Sequence, residues 1–236
     1  MDNSPRLNLP YLAPAQAQKH VTVNEALARL DGVVHLALQS LTDTSPPALP
    51  DEGDSYGLPV GATNEWAGND GYVATFMNGG WVYANPSTGW RAYVIDQASE
   101  ARFLNDDWQL NNVVRSESGA ASKMRILEFD HVIDPGNSSQ TSVNIPAGAM
   151  VFGATGIVVQ DITGALGDWS LGINGSPTQF GSGLGTGNGS WIRGMLGSPT
   201  TYYSATPLVL TANGGDFAGG IVRLSLHILE IDYPAI

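Results

Sequence analysis

Residues 9–41 read LPYLAPAQAQKHVTVNEALARLDGVVHLALQSL, and this stretch holds the only strong helix signal in the chain. Thr22-Val23-Asn24-Glu25 fits a capping box, with the Thr22 hydroxyl accepting from the Glu25 N–H and the Glu25 carboxylate accepting from the Thr22 N–H. Apolar residues then recur at Val23, Leu27, Leu30, Val34, Ala37 and Leu41, in steps alternating between four and three. Such steps keep one stripe of a helix facing a partner along its length. The spacing predicts an amphipathic helix over residues 23–41, with Val23, Leu27, Leu30, Val34 and Leu41 as an oligomerisation seam. One helix cannot hide that stripe against itself. It packs either on a sheet of its own chain or on copies of itself, and so short a repeat leaves both open.

Ahead of the helix, Pro5, Pro10 and Pro14 favour an extended arm, followed by the polar run Gln16, Gln18, Lys19 and His20. Behind it, residues 42–53 (TDTSPPALPDEG) make a stiff polar connection. Strand candidates at 55–60, 71–77, 81–84, 90–95 and 100–108 follow, a meander of small hairpins carrying Trp66, Trp81, Trp90 and Trp108. So small a sheet needs large side chains to bury enough area, so these tryptophans read as core. Residues 111–123 (NNVVRSESGAASK) are small, polar and aperiodic, and read as a linker between an N-terminal domain, 1–110, and a C-terminal domain, 124–236.

The C-terminal domain offers strands at 125–133, 141–145, 156–162, 168–173, 191–196, 207–210 and 221–231. In the last, Val222, Leu224, Leu226 and Ile228 alternate with Arg223, Ser225 and His227, the period of a half-buried strand. The fold class expected is mainly β: arm, one helix, a small antiparallel meander, and a C-terminal antiparallel sandwich or jelly roll.

Composition narrows the function. The chain has 236 residues and a formal charge of −12, which repels phosphate backbones and anionic membranes, so neither nucleic acid nor membrane insertion is expected. There is no cysteine, hence no disulfide framework and no thiol nucleophile. The opening MDNSPRLNLP lacks a charged and apolar leader, so the sequence predicts synthesis in the cytoplasm without a secretory signal. His20, His35, His131 and His227 do not cluster, and no metal or cofactor is expected. His131 shares a strand face with Leu127, Phe129 and Ile133 and reads as a core histidine. Phosphate-binding, dinucleotide and nucleophile-elbow motifs are absent, and the glycine-rich 181–189 (GSGLGTGNG) reads as a flexible loop. The expectation is a non-enzymatic protein. Asp161, Asp168 and Asp216 keep a glycan-degrading alternative open, because glycosidases need only two carboxylates placed by the fold.

The loops of the C-terminal domain also hold residues suited to sugar: Asp168, Trp169, Asn174, Trp191, Arg193, Tyr202, Tyr203 and Asp216, with Gln179, Asn188 and Asn213 beside them. Aromatic faces meet the C–H side of a pyranose, and planar amides, carboxylates and guanidinium groups take pairs of hydroxyls. Equally, Trp169 and Trp191 read as core and the amides as turn formers.

Finally, Leu9-Pro10-Tyr11, Pro14-Ala15-Gln16-Ala17-Gln18-Lys19-His20-Val21 and Asn24-Glu25-Ala26-Leu27, running on to Leu30-Asp31, resemble a domain family of unknown function from alphaproteobacterial prophages and gene transfer agents. Gly53-Asp54, Gly79-Gly80-Trp81 and Gly89-Trp90 continue the likeness through the meander. The resemblance implies a spike or fibre subunit on the head or tail of a particle released by lysis. It further implies an anchoring N-terminal part that docks on other particle proteins and a variable C-terminal tip that meets host surface or capsular polysaccharide. A homo-oligomer, with a trimer favoured, would add avidity to weak sugar contacts. A purely structural connector is the rival. No catalytic residue is implied.

Overall fold

The structure, a computed structural model, describes residues 3–13 and 19–234. Residues 14–18, with Pro14, Gln16 and Gln18 of the expected arm, lie outside the described residues. The chain divides into two compact units, Met1–Asn112 and Val113–Ile236.

In the first unit, helix α1 spans Lys19–Val33, beginning ahead of the Thr22 box and stopping short of Leu41. The helix expected over residues 23–41 is therefore corrected at both ends. The physical reason lies at His35, whose φ of 49° turns the chain out of the helix. Beyond it Leu36, Leu38 and Ser40 are buried while Ala37 and Gln39 are half-buried, a period of two. Seven strands follow: β1 (Ala37–Leu38), β2 (Ser55–Gly57), β3 (Val73–Met77), β4 (Gly80–Ala84), β5 (Arg91–Val94), β6 (Ser99–Leu104) and β7 (Asp107–Leu110). They form one sheet of order β2-β3-β4 and another of order β1-β5-β6-β7. Residues 36–40 stitch the two together. Tyr93 and Ile95 donate to the Leu36 and Leu38 carbonyls on one side, and Gln39 donates to Ser55 on the other. Leu38 is fully buried at this junction. Trp66 is fully buried against Tyr56 and Trp81, and Trp108 packs edge-on to Phe103.

The helix is oriented by its polar residues. Ala28, Asp31 and Gly32 are buried, while Val23, Leu30 and Val34 of the expected seam stay 40%, 49% and 36% exposed. Leu27 is half-buried, and Leu41 has left the helix for the core around β1. Asp31 faces the N-terminal arm. Its Oδ1 accepts from the Ser4 hydroxyl at 2.5 Å and the Leu7 N–H at 2.6 Å, and its Oδ2 from the Arg6 N–H at 3.0 Å. Asn24, two turns earlier on the same face, takes the Leu12 N–H at 2.8 Å and donates to the Leu12 carbonyl at 3.1 Å. Arg6 completes the clasp by donating to the carbonyls of Asp31 and Gly32, which the helix end leaves unpaired, and to that of His35 just beyond it. The arm expected to be extended is, over residues 3–10, a tight turn closed by a bridge between Asn3 and Pro10. Gly32 seats the helix end on the sheet: a Cβ there would lie 3.1 Å from Thr75 Oγ1.

The second unit carries β8 (Asn112–Arg115, shared with the boundary), β9 (Ala121–Val132), β10 (Ser138–Ile145), β11 (Met150–Gly164), β12 (Asp168–Ile173), β13 (Ser176–Leu184), β14 (Trp191–Thr201), β15 (Thr206–Asn213) and β16 (Phe217–Asp232). One sheet has the order β10-β15-β12-β13 and the other β14-β11-β16-β9-β8. From β9 to β16 the eight strands switch sheets at every step except the β12–β13 hairpin, the connectivity of a jelly roll, and each has antiparallel partners. The inner faces share one core around Trp169, Leu171, Phe180, Leu208, Leu210, Val222, Leu224, Leu226 and Ile228. Two expectations are corrected here. Residues 111–123 are not a plain linker but strand β8, a turn closed by Ser116 and Ala120, and the start of β9. Part of the glycine-rich loop is strand β13, which the sequence hides because only Phe180 on it is deeply buried.

His131 is buried on β9, with Nε2 2.8 Å from the Ser139 hydroxyl. Burial pushes its pKa below the ordinary 6.5, against an opposing pull from Asp134. Its contribution to stability is therefore full above pH 6.5 and declines as pH falls from 6.5 toward the lowered folded value. We expect His131→Gln to flatten the acid limb of the melting-temperature profile over that window. In the first unit, Asp31→Ala strands three donors and should cost about 2–4 kcal/mol. Hydrogen exchange should then show the Arg6 and Leu7 amides losing protection before the β3 amides do.

Candidate functional site

The outer face of the β14-β11-β16-β9 sheet is set by register. Trp191, Ile157, Arg223 and Asp130 form one row across the four strands; Arg193, Thr155, Ser225 and Glu128 form the next; Met195, Gly153, His227 and Ile126 the third. Sheet faces turned to water are normally polar, yet Trp191 and Met195 are 70% and 73% exposed, with Ile126, Ile157, Met124 and Phe152 also open. Phe152 faces out because the register slips between Val151 and Gly153, a bulge that re-aims one side chain.

Glycine at 153 leaves a notch between Met195 and His227. A shallow groove of about 320 Å³ runs there, lined by Met124, Phe152, Thr155, Arg193, Met195 and His227, with the Gly153 and Gly194 backbone. Polar groups border it in defined pairs. Thr155 Oγ1 lies 3.0 Å from His227 Nε2, and Ser225 donates to Glu128 at 2.8 Å. Arg223 binds both Asp130 oxygens at 2.6 and 2.8 Å, and that hydrogen bonding holds the Asp130 carboxyl below its ordinary range. Arg193 has no carboxylate partner among the described residues. The groove therefore offers a guanidinium with no ion pair among the described residues and a hydroxyl–imidazole pair on an apolar floor, and the exposed indole of Trp191 stands one row beyond Arg193 on the same face.

Of the eight residues expected to bind sugar, only Trp191 and Arg193 come together here. Trp169 is fully buried, with its Nε1 donating to the Gly185 carbonyl at 3.0 Å. Tyr202 is buried too; burial raises its hydroxyl pKa, with Gln179 acting the other way. These two are core residues, because the alternation of their strands and turns points them inward. Asp168 is held on the opposite sheet by Asn213 at 2.7 Å. Asn174 and Tyr203 sit in turns at one end of the jelly roll, Asn174 between β12 and β13 and Tyr203 after β14. Asp216 lies at the other end, between β15 and β16. Asp161, one of the possible catalytic carboxylates, accepts the Asn188 N–H at 2.6 Å, and Asn188 in turn donates to the Val159 carbonyl. Met195, Phe152, Thr155 and His227 were missed, though Trp191, Arg193 and Met195 at every second position signal one outward face.

Residues 23–109 match the model of a family described as a protein of unknown function, DUF2793. The match covers the helix and meander and stops before the second unit. Among solved structures, the chain is similar to the Cyanophage Pam1 capsid asymmetric unit, at 21% identity, over 46% of this chain and 86% of that one, with a TM-score of 0.35. No curated protein matches. Among the described residues no helix is long and apolar enough to cross a membrane.

The two tryptophans should separate cleanly by mutation. Trp169→Ala should cost the second unit about 3–5 kcal/mol, whereas Trp191→Ala should change stability by less than about 0.5 kcal/mol, both read from thermal or denaturant melts.

Proposed function

We propose that this chain is a non-enzymatic receptor-binding spike or fibre subunit of a phage-like particle, attaching to host surface or capsular polysaccharide through the outer sheet face of its second unit. The observation that carries the reading is the exposed Trp191 one row from Arg193, which has no ion pair among the described residues and lines a groove floored by Gly153 and Thr155. An indole stacks on the C–H face of a pyranose while a guanidinium takes two hydroxyls, which is what a weakly polar, hydroxylated ligand requires. The N-terminal motif supports the particle setting, since it resembles a family of prophages and gene transfer agents. The exposed Val23, Leu30 and Val34 support self-association, and several tips on one spike gain avidity over single weak sugar contacts.

The apolar lining of the same groove favours a second reading, a structural connector that docks another particle protein there. Binding of the purified full chain to capsulated and capsule-deficient cells tests the choice. Attachment that needs capsule and falls at least about tenfold in Trp191→Ala or Arg193→Ala supports the receptor-binding reading. No attachment to either cell type, or attachment that Trp191→Ala and Arg193→Ala both leave unchanged, removes it. Co-purification with particle proteins that Trp191→Ala and Met195→Ala abolish would favour the connector.

A further inference from the structure

The first unit holds a separate polar groove, on the outer face of the sheet made by β1, β5, β6 and β7. Arg91 on β5 stands directly opposite Arg102 on β6, and Arg102 stands opposite Gln109 on β7. Glu100, two residues before Arg102, falls on the same face, opposite Tyr93. A groove of about 340 Å³ is lined by Arg91, Glu100, Ala101, Arg102, Gln109 and Asn112. Its amides are fixed by each other: Asn112 Nδ2 donates to Gln109 Oε1 at 3.0 Å.

The two arginines are costly where they stand. Like charges directly opposed across strands repel. The chain has only 10 Lys and Arg against 22 Asp and Glu, so a carboxylate for each would be easy to supply. Lys123, Arg125 and Arg223 each have one, and so does Arg29. Among the described residues neither Arg91 nor Arg102 is ion-paired, although Glu100 shares their groove. A paired guanidinium fork left open in this way matches the flat, two-oxygen geometry of a carboxylate.

We propose that Arg91 and Arg102 bind the carboxylate of an acidic sugar, a hexuronate. Glu100 selects the class: it repels a bare multivalent anion and accepts from a sugar hydroxyl. Gln109 and Asn112 give further planar polar groups, and Tyr93, 44% exposed, flanks the face with an aromatic ring. The site takes a single residue rather than a polyanion by bulk attraction, since the net charge of −12 opposes the latter and salt screens beyond about 8 Å. All its lining residues lie within Met1–Asn112, and it stands or falls apart from the Trp191 groove.

Titration of the full chain with sodium glucuronate, glucose or sodium sulfate at matched ionic strength, read on the arginine Nε–H resonances, tests this. Saturable shifts at Arg91 and Arg102 with glucuronate, absent with glucose and weaker with sulfate, are expected. Arg91→Gln and Arg102→Gln should each weaken binding about tenfold or more without lowering the melting temperature, and Trp191→Ala should leave it unchanged. Sulfate binding as tightly as glucuronate would overturn the assignment, as would no shift at either arginine in the wild-type chain.

Discussion

A buried carboxylate organises the first unit. Asp31 is fully buried on a helix and is tolerable there only because the N-terminal arm brings three donors to its two oxygens. Asn24 repeats the device with a bidentate amide, and Arg6 returns the favour at the helix end. Together these contacts decide which side of α1 looks inward. The polar side does, and the apolar residues about a quarter to a third of a turn away are left facing out. The conspicuous run from Asn24 to Asp31 thus has a structural reason: the polar residues at its two ends hold the arm.

That arrangement explains why the helix was only partly legible. Val34, Ala37 and Leu41 continue the three-and-four spacing, so the periodicity carries the helix eight residues too far. Leu36, Leu38 and Ser40 carry an equally valid two-residue period, and the tertiary demand for a strand between the β2 and β5 edges decides between them. A sequence also scores Asn24 and Asp31 as outward-facing, since a lone polar side chain gives no hint of a partner 12 or 27 residues upstream.

The jelly roll was more legible than the site it carries. Alternation placed β9 and β16 well, because each runs over ten residues with one dry face. Trp169 and Trp191 are both strand tryptophans next to polar residues, and only the pairing of β12 with β15 and of β14 with β11 decides that one is core and the other open. The residues expected to bind sugar are therefore scattered over two sheets and both ends of the fold, and of them only Trp191 and Arg193 share one face. Neighbours such as Phe152 and His227 reach the groove through a bulge and a cross-strand register, neither of which composition records.

With the polar side of α1 turned inward, Val23, Leu30 and Val34 face outward, and in the proposed function other copies of the chain cover them. Light scattering on the full chain, wild type against Leu30→Glu, tests it most directly. The account predicts a defined oligomer for the wild type that dissociates in the variant with both units still folded. A wild-type chain that stays at the mass of one subunit across the accessible concentration range would contradict it.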